Sequence, residues 1–512
     1  MVYAGMLIGG GVGFAKTPGY EVRELGAAIP EINVRGADFG TLPDGTPVAF
    51  AVSMGEPLTL NLIDLRTGAR LDGAAVEGET QGGPVHRAPD GTFYVTVFGH
   101  RQPGAVYRYH PAEMRLENLG EQIAGEGRIY RITSADDDGT VYMSTHPSGK
   151  LLAYDPQRGE FRDYGPVADG IDAGSGITVV GDEVWVGTRP VPKLIAVNRR
   201  TGEKRRVEIP ESFTENASII SRLEARGNRV FVHLGPGSAN IDTAMYNVET
   251  GEWSAVVPNI GTAAGMTQVD ESGLTYFIGG RTLYSYNVET DEIGETGMAG
   301  TGAQRAMRGS QRAYGINILE IDGRTAVVGM TNAGMTWRYF PDSGEGDAAE
   351  GDVLESAARI VGYGVGPDGK VYVGAKMGAD AIGRINPDTD GIERLGGPSQ
   401  AEGVGGMDNT IVIGRYPGAG LNIGDLSEPW QWGRNPEPVA AFGRGRPYFQ
   451  DRLWDIEGAG DKIAIASIPE PAWNDGALIL FDPQTGEYEL HRGIIPNHSL
   501  IDLTYRNRLL YV

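Results

Sequence analysis

The chain has 512 residues, of which 40% are hydrophobic and 22% charged, so it can bury large cores and is neither disordered nor collagen-like. It has no cysteine, which excludes disulfides and thiolate metal sites. Its net charge of −23 argues against nucleic acid or an anionic membrane as the main partner, because both require a basic face. No apolar run approaches the ~18 residues of a membrane-spanning helix, so we expect no membrane span.

The first 14 residues are rich in glycine and lack a basic start, so they make a poor signal peptide. The absence of cysteine suits a bacterial protein that was exported and lost its signal, and it suits a cytoplasmic protein as well. An extracytoplasmic location is slightly favoured.

A short pattern recurs along the chain. Each copy has an apolar or aromatic strand end, then an Asp or Asn, and usually a Gly or Asp four residues later. Asp and Asn side chains hydrogen-bond to their own backbone, and Gly and Asp tolerate a positive φ, so each copy predicts a hairpin turn. The predicted turn positions are Gly68, Gly159, Gly202, Gly251, Asp291, Gly344, Asp390 and Gly486.

The spacing of these turns predicts a repeated unit. Most neighbouring positions are 40 to 53 residues apart, and two gaps of 91 and 96 residues correspond to double steps. The period of about 46 residues lies in the range that indicates propeller blades.

Within each unit a polar turn precedes a run of β-branched and aromatic residues, which is typical of strands. Four antiparallel strands per unit, repeated radially, predict an all-β fold, a β-propeller of four-stranded antiparallel blades. The polar turns lie at 89–91, 136–139, 181–182, 227–228, 271–273, 322–323, 367–369, 408–409 and 460–461, and the runs include 93–97, 141–145, 184–187 and 371–374.

The number of repeats, about ten, exceeds the usual four to eight blades of one ring. Two tandem propellers are therefore favoured, with a boundary near the small, acidic stretch 343–355. The first would span residues 1–345 with about seven blades, and the second, incomplete, residues 346–512. One large or decorated ring is the alternative.

Two copies of the pattern read Tyr-Asp-Pro and Phe-Asp-Pro followed by Gly-Glu, at 154–160 and 481–487. These copies resemble the bacterial β-propeller repeats of the YVTN, NHL and quinoprotein types. The resemblance implies a propeller over nearly the whole chain, but function does not follow from this fold.

A propeller places the turns after its first and third strands on one face, so the unusual residues of the opposite loops are the functional candidates. Four successive units carry His or Arg at the end of the second strand. Further His, Arg and Tyr residues lie on or before the first strand. The candidates are His100, Arg101, His146, Arg189 and His233 in the first group, and His86, Tyr130, Arg131 and Arg222 in the second.

These residue types fit an enzyme that acts on an acidic polysaccharide or oligosaccharide by β-elimination. Arg189, with Arg101 or Arg222, would neutralise a uronate carboxylate. His146 or His100 would act as the general base, since the pKa of histidine lies near neutrality. Tyr130 would protonate the leaving oxygen. In residue types and fold this arrangement resembles propeller polysaccharide lyases. Arg131, His233 and His86 would complete the substrate site.

Three other interpretations remain open. The same face could bind a ligand or a protein without catalysis. A glycoside hydrolase would more often need a pair of carboxylates, which the sequence does not single out. Each His or Arg could also be structural, since Arg–Asp pairs commonly tie neighbouring blades. We expect an acidic carbohydrate as the partner, and no cofactor, metal, nucleic acid or membrane.

Overall fold

Antiparallel hydrogen bonds join nearly all strands into consecutive four-stranded sheets, as predicted. The computed structural model describes residues 22–98, 103–215, 217–235, 242–256, 260, 264–307, 313–376, 380–443, 447–470 and 473–512. The chain divides into two compact units: Ile32–Glu355, here called the seven-blade unit, and residues up to Glu31 with Ser356–Val512, here called the three-blade unit. A short strand, β1 (Pro30–Glu31), pairs with residues 356–357 in the three-blade unit.

The seven-blade unit begins with four sheets. Blade 1 consists of β2 (Val34–Thr41), β3 (Pro47–Ser53), β4 (Leu58–Asp64) and β5 (Arg70–Val76). Blade 2 consists of β6 (Gln81–Arg87), β7 (Phe93–Phe98), β8 (Ala105–His110) and β9 (Arg115–Glu121), followed by a 3-10 turn at Ile123–Gly125. Blade 3 consists of β10 (Arg128–Ser134), β11 (Val141–His146), β12 (Lys150–Asp155) and β13 (Glu160–Pro166). Blade 4 consists of β14 (Ala173–Val180), β15 (Glu183–Arg189), β16 (Leu194–Asn198) and β17 (Lys204–Val207).

Three further sheets complete this unit, with short helices between them. Helix α1 (Glu211–Thr214) leads into blade 5, which consists of β18 (Ile219–Arg226), β19 (Arg229–Gly235), β20 (Asp242–Asn247) and β21 (Trp253–Val256). Blade 6 consists of β22 (Leu274–Gly279), β23 (Thr282–Asn287) and β24 (Ile293–Glu295), and a single bridge joins Met266 to Phe277 beside it. Helix α2 (Gly302–Ala306) leads into blade 7, which consists of β25 (Ala313–Ile321), β26 (Arg324–Thr331), β27 (Met335–Phe340) and β28 (Glu345–Glu350).

The three-blade unit has the same kind of sheet. Its strand β29 (Ser356–Ala357) is the partner of β1. Blade 8 consists of β30 (Ile360–Val365), β31 (Val371–Ala375), β32 (Ala381–Asn386) and β33 (Gly391–Gly396). Blade 9 consists of β34 (Ala401–Met407), β35 (Thr410–Arg415), β36 (Gly420–Asp425) and β37 (Glu437–Ala441). Blade 10 consists of β38 (Gln450–Ala459), β39 (Lys462–Pro469), β40 (Ala477–Phe481) and β41 (Tyr488–Arg492), and a two-stranded sheet of β42 (Thr504–Arg506) and β43 (Leu509–Tyr511) follows.

The observed division differs from the predicted boundary at 345/346. Strand β28 pairs with β27 over its whole length, so residues 346–350 belong to blade 7. The pairing of β1 with β29 places Pro30–Glu31 in the other unit. That each unit is a separate ring stays a prediction. None of the helices in the described ranges is long and apolar enough to cross a membrane.

Apolar side chains of neighbouring blades form shared cores. The ring of Phe50 in blade 1 stacks on those of Phe93 and Tyr109 in blade 2, with centroids 5.1 and 4.6 Å apart. Blade 7 packs against blade 1 in the same manner, with Val328 and Phe39 in one buried cluster. The first and last sheets of the seven-blade unit therefore contact each other as consecutive sheets do.

The predicted turn chemistry is confirmed. All eight predicted positions have a positive φ, from 58° at Asp390 to 78° at Gly202. The preceding Asp or Asn bonds its own backbone as expected: Asn198 Oδ1 accepts from the N–H groups of Arg200 and Thr201 at 3.0 and 2.9 Å. Local side-chain chemistry therefore fixes these hairpins.

Arginine–aspartate pairs join the turn after the first strand of one blade to the turn after the third strand of the next. Arg199 of blade 4 donates to Asp137 and Asp138 of blade 3 at 2.8 and 2.7 Å. Arg229 of blade 5 bonds Asp291 of blade 6 at 2.8 Å. The same relation links blade 7 to blade 1, where Arg66 donates to Asp322 at 2.8 Å. The structural interpretation of Arg–Asp pairs therefore applies to this face.

We predict that Arg199→Met destabilises the protein by about 1–2 kcal/mol, because it removes charged hydrogen bonds to carboxylates that stay largely solvated. Urea unfolding followed by circular dichroism measures the loss. Arg200→Met is the matched control, since the Arg200 side chain is 83% exposed and should leave the unfolding midpoint unchanged.

The same pair predicts a pH dependence. The hydrogen bond from Arg199 lowers the pKa of Asp137, so its contribution to stability is present above the ordinary aspartate pKa and is lost as the pH falls through the lowered value. The difference between wild type and Arg199→Met should therefore shrink below about pH 4. An undiminished difference in acid contradicts the prediction.

Candidate functional site

Strand register brings several of the predicted site residues to one end of blades 3 and 4. Arg128 begins β10 directly opposite His146, which ends β11. In blade 4, Ala173 begins β14 opposite Arg189, which ends β15. Because the first strands of the two blades lie side by side, these strand ends converge. This is the end of the blades opposite to the Arg–Asp pairs.

The ring of Tyr130 is the centre of this group. The guanidinium carbons of Arg128, Arg189 and Arg131 lie 4.8, 5.1 and 5.6 Å from the ring centroid. Arg128 also lies 3.8 Å from the ring centroid of Phe98, in blade 2. Tyr130 with Arg128, Arg131, Arg189 and His146 is called the Tyr130 cluster below. Guanidinium groups stacked on aromatic faces are held in place while their N–H donors stay available.

Two cations of the cluster form no ion pair within the part of the chain that the structure describes. Among the described residues, no carboxylate forms an ion pair or hydrogen bond with Arg128 or Arg131, and the buried Nε of Arg128 has no hydrogen-bond partner. Arg131 donates instead to the carbonyl oxygens of Ser221 and Tyr130, at 3.1 and 3.2 Å. Burial, together with the charge of Arg222, lowers the pKa of Arg131 to about 10. Within the described ranges, Arg128 and Arg131 are therefore oriented by rings and carbonyl oxygens and not by carboxylates.

Burial lowers the pKa of Arg128 as well, and the charge of Arg189 lowers it further. Arg189 itself is paired, since its Nε donates to Asp172 at 3.0 Å. Asp172 was not predicted, because its relation to Arg189 arises only when β14 and β15 pair.

The surroundings of His146 favour its neutral form. Burial lowers its pKa from the ordinary value, and the charges of Arg189 and Arg128 add to the effect against the opposing charge of Asp172. The Tyr130 hydroxyl makes no hydrogen bond to any other residue within the described ranges. A neutral imidazole and a phenol beside two guanidinium groups are suited to proton transfer next to a bound anion.

Arg222 and His233 share a carboxylate neighbour in blade 5. They face each other across β18 and β19, and His233 is fully buried. Glu224 lies 3.2 Å from Arg222 and 3.4 Å from His233. Although burial opposes its ionisation, the charge of Arg222 and the proximity of His233 lower the pKa of Glu224 to about 2. The structure therefore gives His233 a place inside blade 5, paired with a carboxylate that the sequence did not single out.

His86 lies apart from the Tyr130 cluster. It is next to the last residue of β6, and its Nε2 lies 2.7 Å from Oγ of Ser134, at the opposite end of β10 from Arg128. Burial lowers its pKa. The predicted residues His100 and Arg101 lie outside the described residues.

A pair of carboxylates lies between blades 1 and 2. Glu79 follows β5 and is buried, and Glu121 ends β9. Burial and the charge of Glu121 raise the pKa of Glu79 to about 7. The sequence did not single out these two residues. Within the described ranges, no group of three His, Asp or Glu side chains is placed to hold a metal ion.

We predict that His146 titrates below the ordinary histidine pKa and that Arg189→Gln raises its pKa. The substitution removes one nearby cation and leaves Asp172 without its partner, and both changes favour the protonated imidazole. NMR titration of histidine ring protons measures this, with His146→Asn assigning the signal among seven histidines.

Arg158→Gln is the control for this titration, because Arg158 lies on an exposed turn and its side chain is 76% exposed. It should leave the pKa of His146 unchanged. An ordinary pKa in the wild type, or no increase in Arg189→Gln, would show that the three side chains are not close.

Comparisons with known proteins give only distant likenesses. No model of a protein family matches the chain, and no curated protein matches it. The extracellular domain of BT4673 from B. thetaiotaomicron matches 96% of this chain and 68% of its own at 12% identity and a TM-score of 0.31. PorZ, a surface component of the type-IX secretion system of Porphyromonas gingivalis, matches 94% of this chain and 61% of its own at 10% identity and a TM-score of 0.47. A chain of the nidogen/laminin complex covers 47% of this chain and 90% of its own at 10% identity and a TM-score of 0.34. At these values the likenesses carry no argument about function.

Proposed function

We propose that the Tyr130 cluster binds an anionic group of a carbohydrate ligand, in the first place the carboxylate of a uronic acid. The observation that carries the proposal is the absence of an acidic partner for Arg128 and Arg131 among the described residues. Cations that are partly removed from water without a counter-charge are costly, and a bound anion reduces that cost.

The positive charge of the Tyr130 cluster is local, because the chain as a whole carries a charge of −23. An anion is therefore attracted by short-range contacts at this end and not by the overall field.

The stacked arrangement favours a carboxylate on a sugar. A guanidinium presents a planar fork that matches the two oxygens of a carboxylate. The aromatic faces of Tyr130 and Phe98 hold Arg128 between them, so its fork is already oriented before a ligand arrives.

β-Elimination is the second candidate function, favoured by the neutral imidazole of His146 beside Arg189 and Arg128. In this step His146 takes the proton from C5 of the uronate. Pairing of the uronate carboxylate with an arginine makes this proton more acidic. The electron pair forms the C4–C5 double bond, the C4–O bond breaks, and the Tyr130 hydroxyl gives its proton to the leaving oxygen. Both side chains then exchange protons with water, which restores the starting state.

The binding proposal predicts that uronic-acid oligosaccharides bind and that their neutral counterparts do not. Isothermal titration calorimetry with oligogalacturonate and oligogalactose compares the two. Arg128→Gln should weaken oligogalacturonate binding about 10-fold or more, as expected for a lost charged hydrogen bond. Binding should also weaken as salt is raised.

Arg158→Gln, on the turn face, is the matched control and should bind as the wild type does. Arg128→Gln should not lower the melting temperature, because it removes a half-buried cation that no carboxylate of the described residues offsets. Equal binding of neutral and acidic sugars, or a destabilised Arg128→Gln with full binding, would assign Arg128 a structural role.

The elimination candidate predicts an increase in ultraviolet absorbance from the unsaturated uronate product. The rate should rise with pH through the lowered pKa of His146, because the neutral imidazole is the base. Tyr130→Phe and His146→Asn should retain binding and lose the absorbance change. Binding without any absorbance change in the wild type would support the binding function and contradict the elimination function.

A further inference from the structure

A second cluster of cations lies at the ends of strands in the three-blade unit. Arg359 immediately precedes β30 and Lys376 immediately follows β31, and the Lys376 N–H donates to the Arg359 carbonyl oxygen at 2.7 Å. In the next blade, Arg415 ends β35 and Tyr416 follows it. Arg452, near the start of β38 in blade 10, completes the group. These positions correspond to those of the Tyr130 cluster in its own blades.

An arginine stacks on a tyrosine here as well. The guanidinium carbon of Arg452 lies 4.2 Å from the ring centroid of Tyr416. Its Nη1 forms an ion pair with Oε1 of Glu402, whose side chain is fully buried. Gln400 donates to the same oxygen of Glu402. Arg452 is therefore fixed on both sides, by a ring and by a carboxylate.

The backbone around Glu402 has no room for adjustment. A Cβ atom at Gly362 would lie 1.8 Å from the carbonyl oxygen of Glu402, so the first strands of blades 8 and 9 touch. This contact fixes the position of Glu402, and with it that of Arg452, relative to the end of blade 8 that carries Arg359 and Lys376.

The charges of this cluster do not balance. Burial lowers the pKa of Lys376, and the charges of Arg359 and Arg452 lower it further, with no carboxylate opposing them. Within the described ranges, neither Lys376 nor Arg359 forms an ion pair, and the buried Nε of Arg415 has no hydrogen-bond partner.

We propose that this end of the three-blade unit is a second anion-binding site, in which Lys376 and Arg359 bind an oxyanion beside the Arg452–Tyr416 stack. The ligand is a carboxylate or a phosphate of a small molecule. The inference does not depend on the proposed function, because no residue of the Tyr130 cluster takes part in it.

The site differs from the first in what it requires of its ligand. The ammonium of Lys376 is a compact charge that accepts any oxyanion geometry, whereas a guanidinium selects a planar pair of oxygens. The buried Glu402 and the nearby Asp451, 4.0 Å from Arg452, limit the positive charge of the site. A single oxyanion group fits this balance better than a polyanion.

The test measures the acylation rate of Lys376, because only a deprotonated amine reacts. The protein is treated with the N-hydroxysuccinimide ester of acetic acid at pH 8, and modified lysines are quantified by peptide mass spectrometry. Lys462 is the internal reference, since its hydrogen bond with Glu489 raises its pKa. Lys376 should react several-fold faster than Lys462.

Inorganic phosphate and galacturonate should each slow the acylation of Lys376, because a bound anion stabilises its ammonium form. A pKa increase of half a unit lowers the reactive fraction about threefold. The stronger protector of the two identifies the oxyanion. Galactose and sodium chloride at matched ionic strength should not protect Lys376, and Lys462 should react at an unchanged rate throughout.

Two variants separate the proposal from its alternatives. Arg359→Gln should abolish the protection, and Arg128→Gln, in the other unit, should leave it intact whether or not the proposed function holds. Equal protection by chloride and by both oxyanions would mean that salt merely screens the cluster. That result, or full protection in Arg359→Gln, overturns the proposal.

Discussion

The close contact between the first strands of neighbouring blades is the constraint on which the rest of the structure depends. A Cβ atom at Gly36 would lie 1.8 Å from the Gly83 carbonyl oxygen, and one at Gly364 would lie 1.7 Å from that of Val404. Backbones this close leave no freedom of register between blades, so equivalent residues of successive repeats meet at the same end. Substitutions confined to the strand ends can therefore bring polar side chains together without altering the apolar faces between blades.

The arginines at the two ends of the seven-blade unit have different kinds of partner. At the turn end, Arg199, Arg229 and Arg66 each reach a carboxylate of a neighbouring blade. At the other end, Arg128 and Arg131 are held by aromatic rings and by carbonyl oxygens, which orient them but do not neutralise them. Under the proposed function, the second arrangement leaves these cations able to pair with a ligand.

The sequence predicts what depends on local chemistry. The turn positions and the four-stranded sheets follow from residues adjacent in the chain. The partners of those residues do not, because Asp172 and Glu224 come next to Arg189 and His233 only through strand pairing. His233 shows the limit most directly. It lies two residues before the end of β19, and the register of that strand turns its side chain inward. A histidine at the very end of a strand, such as His146 in β11, is only partly buried.

Two of the eight repeat turns have an aspartate at the left-handed position that the other six give to glycine. A side chain there costs backbone energy, although aspartate tolerates the conformation better than most residues. In both turns the carboxylate holds a distant arginine: Asp291 binds Arg229 of the preceding blade, and Asp390 binds Arg23 at 2.6 Å. In each turn the ion pair offsets part of the backbone strain. It joins residues that are 62 positions apart for Asp291 and Arg229, and 367 positions apart for Asp390 and Arg23. Aspartate takes the place of glycine at the two repeat turns where its carboxylate pairs with an arginine from another part of the chain.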